Sequence, residues 1–471
     1  MSKVLLIKPR LLNIEYTGIT HPLGLMYIGA TLKKAGHEPK IHDCAPDHKD
    51  LHLLQRTLRD WKPDFIGISI IITELEEMKK IMRIIRKILP EVPVTFGGPW
   101  PTANPEESIK IWGADFVVLG EGEKVFPELI DAINNGSPTE SIPGIASRIH
   151  DRVKINPTLH LTEEELNVIP FPAWELLDHK LYSKMHSMDC VGFRPYMTLI
   201  TSRGCPYQCA YCHRTMGKSF RKRSAESVLT EMTRLRFEYG FKDFEIIDDC
   251  FNLDRERMVK ILTGIKNHLR GVKLYFPNGV RADMLTPEDM ILFKKAGTVS
   301  ICFAIETSSP RLQKFIHKNL NIDKAVRTIN ASVKAGIYTT GFFMIGFPTE
   351  TYEEASATVD FAIHSSLHRA YFFNPKPFEG TELATMAKDI LKSRNYNIKG
   401  CDHTNYFISS LNFSAMSDNE LQTLFQRAYR RFYLSPGRVI RTVLHHPRIF
   451  SLPRYALITL LKLRPFRSSV S

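Results

Sequence analysis

Residues 201–213 read TSRGCPYQCAYCH, a stretch in which three cysteines follow a C-x3-C-x2-C spacing: Cys205, Cys209 and Cys212. An apolar strand pattern over residues 196–201 leads directly into the stretch. Gly204 and Pro206 favour a tight loop at this point. The pattern therefore places three thiols on one loop that follows a β-strand.

This spacing suits a 4Fe–4S cluster with one open iron. Three thiolates on one loop bind three irons of the cluster and leave the fourth without a protein ligand. The open iron can chelate the amino and carboxylate groups of S-adenosylmethionine, and an electron delivered to the sulfonium then cleaves it to a 5′-deoxyadenosyl radical. The sequence predicts that Cys205, Cys209 and Cys212 hold such a cluster.

Two other interpretations of the cysteines stay open. One is a structural zinc site with His213 as the fourth ligand, and the other is a set of buried thiols without any ligand. Zinc sites usually combine paired C-x2-C elements across a longer spacer, which this stretch lacks, so the cluster is favoured. The other cysteines have no comparable spacing and are predicted to be core or bystander thiols: Cys44, Cys190, Cys250, Cys302 and Cys401.

Two series of strand patterns, each alternating with amphipathic helix patterns, surround this loop. The first series covers residues 4–7, 39–43, 65–72, 92–96 and 116–119. It predicts a doubly wound parallel sheet that binds its ligand at the carboxyl ends of the strands. The second series covers residues 196–201, 244–248, 274–278, 299–305, 339–345 and 370–374. It predicts a partial (β/α)6 barrel with its chemistry at the C-terminal strand ends. Between the series, a proline-rich segment predicts a connection with a short hairpin around residues 149–155.

The composition is that of a folded protein with several domains. A length of 471 residues allows about two to four domains. Hydrophobic residues make up 43% and charged residues 24%, which excludes an intrinsically disordered chain. The N-terminal apolar stretch is too short for a signal-peptide core, and no window approaches about 18 consecutive apolar residues. We therefore expect a cytoplasmic protein in a reduced compartment.

The positive charge is concentrated at the C-terminus. Glu420 is the last acidic residue, and ten lysines and arginines follow it, which account for ten of the thirteen net positive charges. Apolar residues are mixed with these arginines over residues 427–471, a pattern that can lie on an anionic membrane surface. The alternative is a helical extension packed on the barrel with solvated arginines. No nucleic-acid-binding fold accompanies the charge, so nucleic acid is not expected as a partner.

The motifs together resemble those of radical S-adenosylmethionine enzymes with an N-terminal cobalamin-binding domain. The resemblance covers residues 1 to about 415. It implies that Tyr211, before the third cysteine, lies beside the adenine of the bound nucleoside. It also implies that the ends of later barrel strands contact the methionine, ribose and adenine, at Asp248, Glu306 and Gly346. A solvated strand-end carboxylate is the alternative for Asp248 and Glu306.

The N-terminal loops resemble the cobalamin-binding pattern of this class. The residues that carry this resemblance are Pro22, Gly24, Asp43, Gly97, Gly98, Pro99, Thr102, Gly120 and Glu121. One departure concerns the D-x-H-x-x-G signature, in which histidine ligates cobalt, because Ile19 stands where the aspartate would be. Nothing obvious then orients the imidazole of His21. The sequence predicts that cobalamin binds with its lower face unligated by protein side chains.

The resemblance also sets the predicted domains and the predicted function. The domains are a flavodoxin-like cobalamin-binding domain (1–138), a linker (139–190), a radical core domain (191–415) and a helical basic extension (416–471). We expect a methyltransferase that uses S-adenosylmethionine, a 4Fe–4S cluster and methylcobalamin to methylate an unactivated carbon. The substrate is a small molecule or a lipid, with membrane lipids, isoprenoids and tetrapyrroles as candidates. The electron comes from a low-potential donor such as flavodoxin or ferredoxin.

Two other functions are compatible with the motifs, which assign no catalytic side chain of their own. The first is a radical oxidative cyclase with the same cofactors and no methyl transfer, as in chlorophyll synthesis. The second, from another class, is a cobalamin-binding or zinc-stabilised regulatory module without turnover. The mass of the product distinguishes the two enzymes, and the presence of iron distinguishes both from the module.

Overall fold

The computed structural model separates the chain into two compact units. It describes residues 1–11, 18–45, 51–189, 191–213, 215–394 and 411–452. The N-terminal unit comprises Met1–His186 and Thr215–Arg223, and the C-terminal unit comprises Ser187–Arg214 and Ser224–Ser471. By packing, much of the predicted linker thus belongs to the N-terminal unit, while the boundaries of the predicted functional domains stay predictions.

The N-terminal unit is built on one mixed seven-stranded sheet. Its strands are β1 (Lys3–Lys8), β2 (Glu38–Asp43), β3 (Phe65–Ser69), β4 (Val94–Gly97), β5 (Phe116–Val118), β6 (Ile145–Ile149) and β7 (Arg152–Ile155). They lie in the order β2-β1-β3-β4-β5-β6-β7, and neighbours among β1 to β5 pair in parallel. This is the order of a flavodoxin-like doubly wound sheet, as predicted.

The predicted hairpin is present but differs in position. Strands β6 and β7 pair antiparallel, and β6 adds antiparallel to the edge strand β5. The turn lies at His150, whose φ is +52°, so the pattern over residues 149–155 covers only the turn and the second strand. The first strand, β6, begins at Ile145, directly after Gly144.

Helices cover the N-terminal sheet. They are α1 (Leu23–Lys34), α2 (Leu51–Trp61), α3 (Leu75–Ile88), α4 (Pro99–Ala103), α5 (Pro105–Lys110), α6 (Gly122–Asn134), α7 (Glu163–Val168) and α8 (His179–Tyr182). In α3 the buried apolar residues recur at helical spacing, at Met78, Ile81, Met82 and Ile85. The residues of β1 from Val4 to Ile7 are all fully buried, which is typical of a parallel strand covered on both faces.

The C-terminal unit is the predicted partial barrel. Short strands β9 (Ser202–Arg203) and β10 (Arg221–Lys222) flank the cysteine loop, and β10 belongs to the N-terminal unit. The barrel strands are β8 (Met197–Leu199), β11 (Asp243–Ile246), β12 (Lys273–Val280), β13 (Thr298–Glu306), β14 (Tyr338–Met344) and β15 (Arg369–Phe373). All neighbours pair in parallel in the order β15-β14-β13-β12-β11-β8. Each strand overlaps its predicted position.

Helices connect the barrel strands and follow the last of them. They are α9 (Ala225–Phe237), α10 (Arg255–His268), α11 (Pro287–Lys295), α12 (Pro310–Phe315), α13 (Ile322–Lys334), α14 (Tyr352–His364), α15 (Glu382–Ser393), α16 (Asp418–Tyr433) and α17 (Pro436–His445). The C-terminal end of α13 agrees with its sequence, because Gly336, with φ of +75°, follows the helix as a capping glycine does.

A buried ionic network lies at the N-terminal ends of the barrel strands. The guanidinium of Arg194 forms an ion pair with Glu245, and its Nε lies 3.3 Å from Oδ2 of Asp243. The side chains of Arg194 and Glu245 are completely buried. The ring of Tyr275 lies 4.0 Å from the Arg194 guanidinium. Arg369, the first residue of β15, donates through Nη1 to the backbone oxygen of Asp189, in the same network, at 2.8 Å.

The described part of the basic extension packs on the barrel. Tyr429 and Tyr433 of α16 exchange hydrogen bonds with the backbone of β15. Arg438 of α17 is 6% exposed and donates to backbone oxygens at the C-terminal end of α14, including Ile363 O at 2.6 Å and Ser365 O at 3.0 Å. It thereby satisfies carbonyls that a helix end leaves without partners. Residues 453–471, with much of the predicted membrane-binding segment, lie outside the described residues.

Candidate cofactor sites

The three motif cysteines differ from the other cysteines in exposure. Cys205, Cys209 and Cys212 are partly exposed. By contrast, Cys44, Cys250 and Cys302 are at most 5% exposed, and burial raises the pKa of Cys250 and of Cys302 to about 12. The six cysteines within the described ranges form no disulfide. Cys190 and Cys401 lie outside the described residues. Thiol chemistry is therefore accessible at the motif, while the thiols of Cys250 and Cys302 stay protonated.

Backbone hydrogen bonds shape the cysteine loop. The N–H of Cys212 donates to Cys209 O at 3.1 Å, and the N–H of Ala210 donates to Ile316 O at 3.0 Å. Gly204 enters the loop with φ of +76°, a conformation that L side chains rarely adopt. The loop is thus held by the protein fold itself, with its three thiols partly open to solvent.

The donor set fits a cubane cluster better than a single ion. In the described part of the chain, no three side chains of His, Cys, Asp or Glu form a group that would hold one metal ion. A cubane cluster has no such requirement, because each thiolate binds a different iron. The motif therefore suits a 4Fe–4S cluster, which when bound would leave one iron open to S-adenosylmethionine.

Two residues of the predicted nucleoside site meet at one end of the barrel. The hydroxyl of Tyr211 donates to Oε1 of Glu306 at 3.1 Å, and Nζ of Lys318 lies 3.4 Å from the same oxygen. Burial, followed by the charge of Glu306, raises the pKa of Tyr211 well above its usual value. Glu306 ends β13 with φ of +67°, a strained conformation for a residue other than glycine. The strain and the pairing fix the carboxylate beside Tyr211.

Gly346, the third residue, lies in a turn after β14 that packs against Tyr211. The ring of Phe347 is 5.9 Å from that of Tyr211. Gly346 has φ of +106°, and a Cβ there would lie 2.7 Å from Nδ2 of Asn374. Only glycine fits this backbone without displacing its neighbour. The structure thus brings Tyr211, Glu306 and Gly346 together, and their contacts with the nucleoside stay predictions.

Glu350 is a residue of this site that sequence reasoning missed. Its Oε2 accepts the N–H of Gly346 at 2.6 Å and that of Phe347 at 3.0 Å, and the residue is fully buried. Burial raises its pKa to about 7, although both N–H groups favour the ionised form. The only signal for Glu350 in the sequence was its position four residues after Gly346, a glycine in a turn. Glu350 positions the turn that carries Gly346.

We expect Glu350 to make stability depend on pH. A carboxyl whose pKa rises on folding contributes stability below its usual pKa, near 4.5, and loses it as the pH rises through about 7. Glu350→Gln keeps the shape but cannot ionise. The free energy of unfolding of the unmodified protein should fall relative to this variant by up to roughly 3 kcal/mol between pH 4.5 and 8, as measured by urea denaturation.

Glu354 provides the control for this measurement. Arg311 holds the pKa of Glu354 at about 2, so Glu354 stays ionised above pH 5. The stability of Glu354→Gln should therefore run parallel to that of the unmodified protein from pH 5 to 8. Parallel curves for Glu350→Gln as well would contradict the role assigned to its burial.

Asp248 is buried and bonded within the protein. It is 3% exposed, and its carboxylate accepts hydrogen bonds from the N–H of Thr201 at 2.6 Å, the hydroxyl of Thr201 at 2.5 Å and the hydroxyl of Ser202 at 2.6 Å. It is therefore not a solvated carboxylate. These bonds tie the end of β11 to the segment that leads into Cys205. A ribose contact by Asp248 stays a prediction, and the structure adds this positioning role.

In the N-terminal unit, the glycine loops cluster at the carboxyl ends of β4 and β5. The N–H of Gly120 donates to Oγ1 of Thr102 at 3.1 Å, which joins the two loops. Gly97 is the last residue of β4, Gly98 follows it, and Pro99 begins α4. The backbone is partly exposed at Gly97, Gly98 and Gly120, and it is exposed at Gly24. Such an edge fits a bulky planar ligand, which is what cobalamin would require.

Gly98 tests how far this loop depends on glycine. Its φ and ψ are 94° and −176°, a region that is essentially restricted to glycine, and a Cβ would lie 2.9 Å from Ile70 O. We expect Gly98→Ala to lower the free energy of unfolding by about 1–3 kcal/mol, as measured by urea denaturation. Gly24→Ala is the matched control, because α1 is helical there and a Cβ would meet nothing within 4 Å. That variant should be as stable as the unmodified protein or slightly more so. Equal losses in both variants would contradict the assignment.

Asp43 and His21 are part of an aromatic cluster in the N-terminal unit. The ring of His21 stacks on Tyr182 at 4.2 Å, and the hydroxyl of Tyr182 donates to Oδ2 of Asp43. His21 is 2% exposed, and burial lowers its pKa well below the usual value. Burial also raises the pKa of Asp43. The packing orients the imidazole against Tyr182, and the expectation that it does not ligate cobalt stays a prediction.

Glu121 is bonded inside the N-terminal unit. It is 4% exposed, and its carboxylate accepts two hydrogen bonds from Arg221, at 2.8 Å and 2.9 Å, and one from the N–H of Leu161 at 2.7 Å. The bidentate pair holds the segment Thr215–Arg223 to this unit. A cobalamin contact by Glu121 stays a prediction, as do those of Pro22, Gly24 and the other loop residues.

Comparison with known proteins identifies the family. The family model for the B12 binding domain matches residues 9–130, and the family model for the radical SAM superfamily matches residues 199–362. An uncharacterized methyltransferase of Pyrococcus horikoshii is 30% identical over 430 residues, which cover 90% of each chain. The chain belongs to the cobalamin-binding radical S-adenosylmethionine enzymes.

Two further relatives agree with this family. The cytidylyl-2-hydroxyethylphosphonate methyltransferase of Streptomyces wedmorensis is 30% identical over 434 residues, which cover 81% of each chain. The structure of TsrM from Kitasatospora setae, a radical S-adenosylmethionine methyltransferase with cobalamin and a 4Fe–4S cluster bound, has a TM-score of 0.70. It is 20% identical, and the match covers 83% of this chain and 79% of TsrM. It therefore shows the shared fold.

The family confirms several predictions. The fold class, the enzymatic nature of the chain and its three cofactors, cobalamin, S-adenosylmethionine and a 4Fe–4S cluster, are as predicted. The described residues include no helix long and apolar enough to cross a bilayer.

Proposed function

We propose that this radical S-adenosylmethionine enzyme transfers a methyl group to an unactivated carbon. The observation that carries the proposal is the three-cysteine loop beside the Tyr211–Glu306 pair, in a chain 30% identical to methyltransferases over most of its length. When bound, the cofactors supply a 5′-deoxyadenosyl radical and a cobalt-carried methyl group. The protein would hold the cluster through the three thiols, and the carboxylate of Glu306 would accept a hydrogen bond from a ribose hydroxyl.

The stoichiometry of the reaction follows from this proposal. One S-adenosylmethionine donates the methyl group and leaves as S-adenosylhomocysteine. A second takes up an electron from a low-potential donor such as flavodoxin or ferredoxin and is cleaved to methionine and the radical, which removes a substrate hydrogen as 5′-deoxyadenosine. The substrate therefore exchanges one hydrogen for one methyl group. The same low-potential donor would supply a second electron per turnover, which would return the cobalt to the state that accepts the next methyl group.

Anaerobic reconstitution tests the proposal. The protein is purified without oxygen, reconstituted with iron, sulfide and cobalamin, and incubated with S-adenosylmethionine, a reductant and extracts fractionated by polarity. We expect a product heavier by one methylene unit, with S-adenosylhomocysteine and 5′-deoxyadenosine formed in equal amounts. A product without the added mass would show the cyclase or oxidase activity instead. Cofactor binding without any cleavage of S-adenosylmethionine would support the regulatory module.

We further propose that α17 contacts an anionic membrane surface at the cytoplasmic leaflet. The helix packs on the barrel through polar side chains, Arg438 and Thr442, which is the reverse of an ordinary amphipathic helix. Its opposite face and the turn after it are apolar and exposed. The exposed side chains are Leu434, Val439, Ile440, Val443, Leu444, Ile449 and Phe450, with exposures from 43% to 101%. We call this set the apolar face.

Charge favours lipid as the occupant of the apolar face. No acidic residue follows Glu420, and the chain that continues beyond Leu452 carries four further lysines and arginines. An anionic bilayer would neutralise the arginines that flank the apolar face. Apolar side chains flanked by arginines are also the pattern of interfacial helices.

Vesicle sedimentation tests this contact. We expect the unmodified protein to bind phosphatidylglycerol vesicles more strongly than phosphatidylcholine vesicles, and Leu444→Asp/Phe450→Asp to weaken binding by at least about tenfold. Phe237→Asp is the matched control, because Phe237 is 68% exposed on another helix, α9. Equal binding by both variants would contradict a role for the apolar face, as would its burial in a dimer detected by sedimentation.

A further inference from the structure

Strands β14 and β15 direct a set of aromatic side chains to the inner face of the barrel sheet. Phe343 and Phe372 are fully buried and face the helices, since Phe343 contacts α14 and Phe372 contacts α16. Side chains alternate along a strand. Phe342, Tyr371 and Phe373 therefore face the opposite side, which is the interior of the partial barrel.

These three inner residues form one aromatic wall. The ring centroids of Phe342 and Phe373 are 5.6 Å apart, and those of Phe342 and Tyr371 are 5.9 Å apart. Tyr371 and Phe373 stack at 6.0 Å. All three side chains are partly exposed, unlike the buried rings on the other face of the same strands. Partly exposed rings held in mutual contact are suited to bind another apolar group.

Beside the aromatic wall, the neighbouring strands carry small residues, and we call the inner face over them the recess. Gly279 of β12 and Ala304 of β13 lie at the level of Phe342: a Cβ built on Gly279 would be 3.3 Å from Cβ of Ala304 and 3.8 Å from the Phe342 ring. Ala304 also pairs directly with Phe342 across the two strands. Both small residues are partly exposed. From β12 to β15, the inner face at this level thus changes from the smallest side chains to large aromatic rings.

The charges near the wall are already engaged in the protein. Arg369 lies two residues before Tyr371, is 1% exposed, and donates to Oγ1 of Thr340 at 3.0 Å and to Asp189 O at 2.8 Å. On the other side, Glu306 pairs with Lys318 and Tyr211. The wall and the recess themselves consist of uncharged residues. The guanidinium of Arg369 lies 5.2 Å from the ring of Tyr371 and is bonded within the protein, so a phosphate bound against the three rings would lose its hydration without gaining this cation as a partner.

We propose that the aromatic wall and the recess bind an uncharged hydrocarbon portion of the substrate, such as a ring system or an isoprenoid unit. This inference rests on the proposed function, because the wall lies near the C-terminal ends of its strands. Strand β14 ends at Met344, two residues before Gly346, and β15 ends at Phe373 of the wall. A hydrocarbon held there lies at the end of the barrel that carries the residues predicted to contact the nucleoside. The substrate is thus lipophilic at the carbon that reacts, and any charged group lies away from the wall.

A matched pair of small ligands tests the chemistry of the wall. Binding of 1-naphthol and of 1-naphthyl phosphate to the reconstituted holoenzyme is measured by titration calorimetry. We expect 1-naphthol to bind at least about tenfold more tightly, because its ring enters the recess without a charge to desolvate. Equal or tighter binding of the phosphate overturns the proposal and indicates a phosphorylated substrate.

Variants locate the binding to this site. Ala304→Phe fills the recess and Phe342→Ala removes the centre of the wall, so each should weaken 1-naphthol binding by about tenfold. Phe237→Ala, on the outer helix α9, should leave it unchanged. Unchanged binding in both wall variants, with their circular dichroism intact, overturns the assignment.

Cleavage of S-adenosylmethionine by the unmodified holoenzyme is read separately. Selective naphthol binding without cleavage would refute the proposed function and leave the wall assignment standing. Cleavage without selective naphthol binding would refute the wall assignment and leave the proposed function standing.

Discussion

Replacement of Cys205, Cys209 and Cys212 by alanine should abolish reductive cleavage of S-adenosylmethionine. We expect the iron content to fall from about four per chain to near zero, and 5′-deoxyadenosine formation to fall by at least about a hundredfold. The reason is that the thiolates are the only protein ligands that the motif offers to the cluster. Iron and sulfide analysis, with chromatography of the nucleoside products, measures both effects.

Cys302→Ala is the control for the cysteine variant. Cys302 is 1% exposed, and burial raises its pKa to about 12, so its thiol does not ionise to bind iron. Iron content in this variant should equal that of the unmodified protein. If instead the unmodified protein holds zinc without iron, or cleaves S-adenosylmethionine without the three cysteines, the cluster assignment is wrong.

The second large effect is expected at the base of the barrel. Arg194→Met should lower the free energy of unfolding by about 3–5 kcal/mol, because it leaves Glu245 buried without its counter-ion. Asp243 loses the same partner. Urea denaturation followed by circular dichroism measures the change.

Arg234→Met is the matched control, because Arg234 pairs with Glu238 on the surface of α9 and both side chains are about half exposed. It should cost no more than about 0.5 kcal/mol. A loss at Arg194 as small as that at Arg234 would show that solvent reaches the network and stabilises the remaining carboxylates.

Local sequence patterns were sufficient to place most of the strands. The six barrel strands and the first five strands all overlap their predicted positions, because apolar runs bounded by turn residues depend on the chain nearby. The hairpin is the instructive difference. Its first strand, β6, contains Ser147 and Arg148 in a short mixed sequence, and it is defined by pairing with β5. Pairing partners far apart in sequence leave no local signal.

The candidate site was only partly predictable for a related reason. Tyr211, Glu306 and Gly346 were named from motif positions, but only the folded barrel brings them together. Glu350 was missed because its role depends on burial and on two N–H groups of the turn that donate to its carboxylate. Asp248 and Glu121 were named as ligand contacts, yet the structure surrounds their carboxylates with donors from the protein.

The sequence by itself was enough to predict the two α/β architectures and a cluster at the cysteines, and its motifs carried the resemblance that implied the family and cobalamin. These follow from cysteine spacing, glycine loops and strand periodicity, which are all short-range features of the chain. Only the tertiary structure decided which carboxylates are buried, that α17 packs by its polar side, and that an uncharged aromatic wall lines the barrel. Those properties depend on which residues from distant strands and helices exclude water together, and solvent exclusion is set by the whole fold.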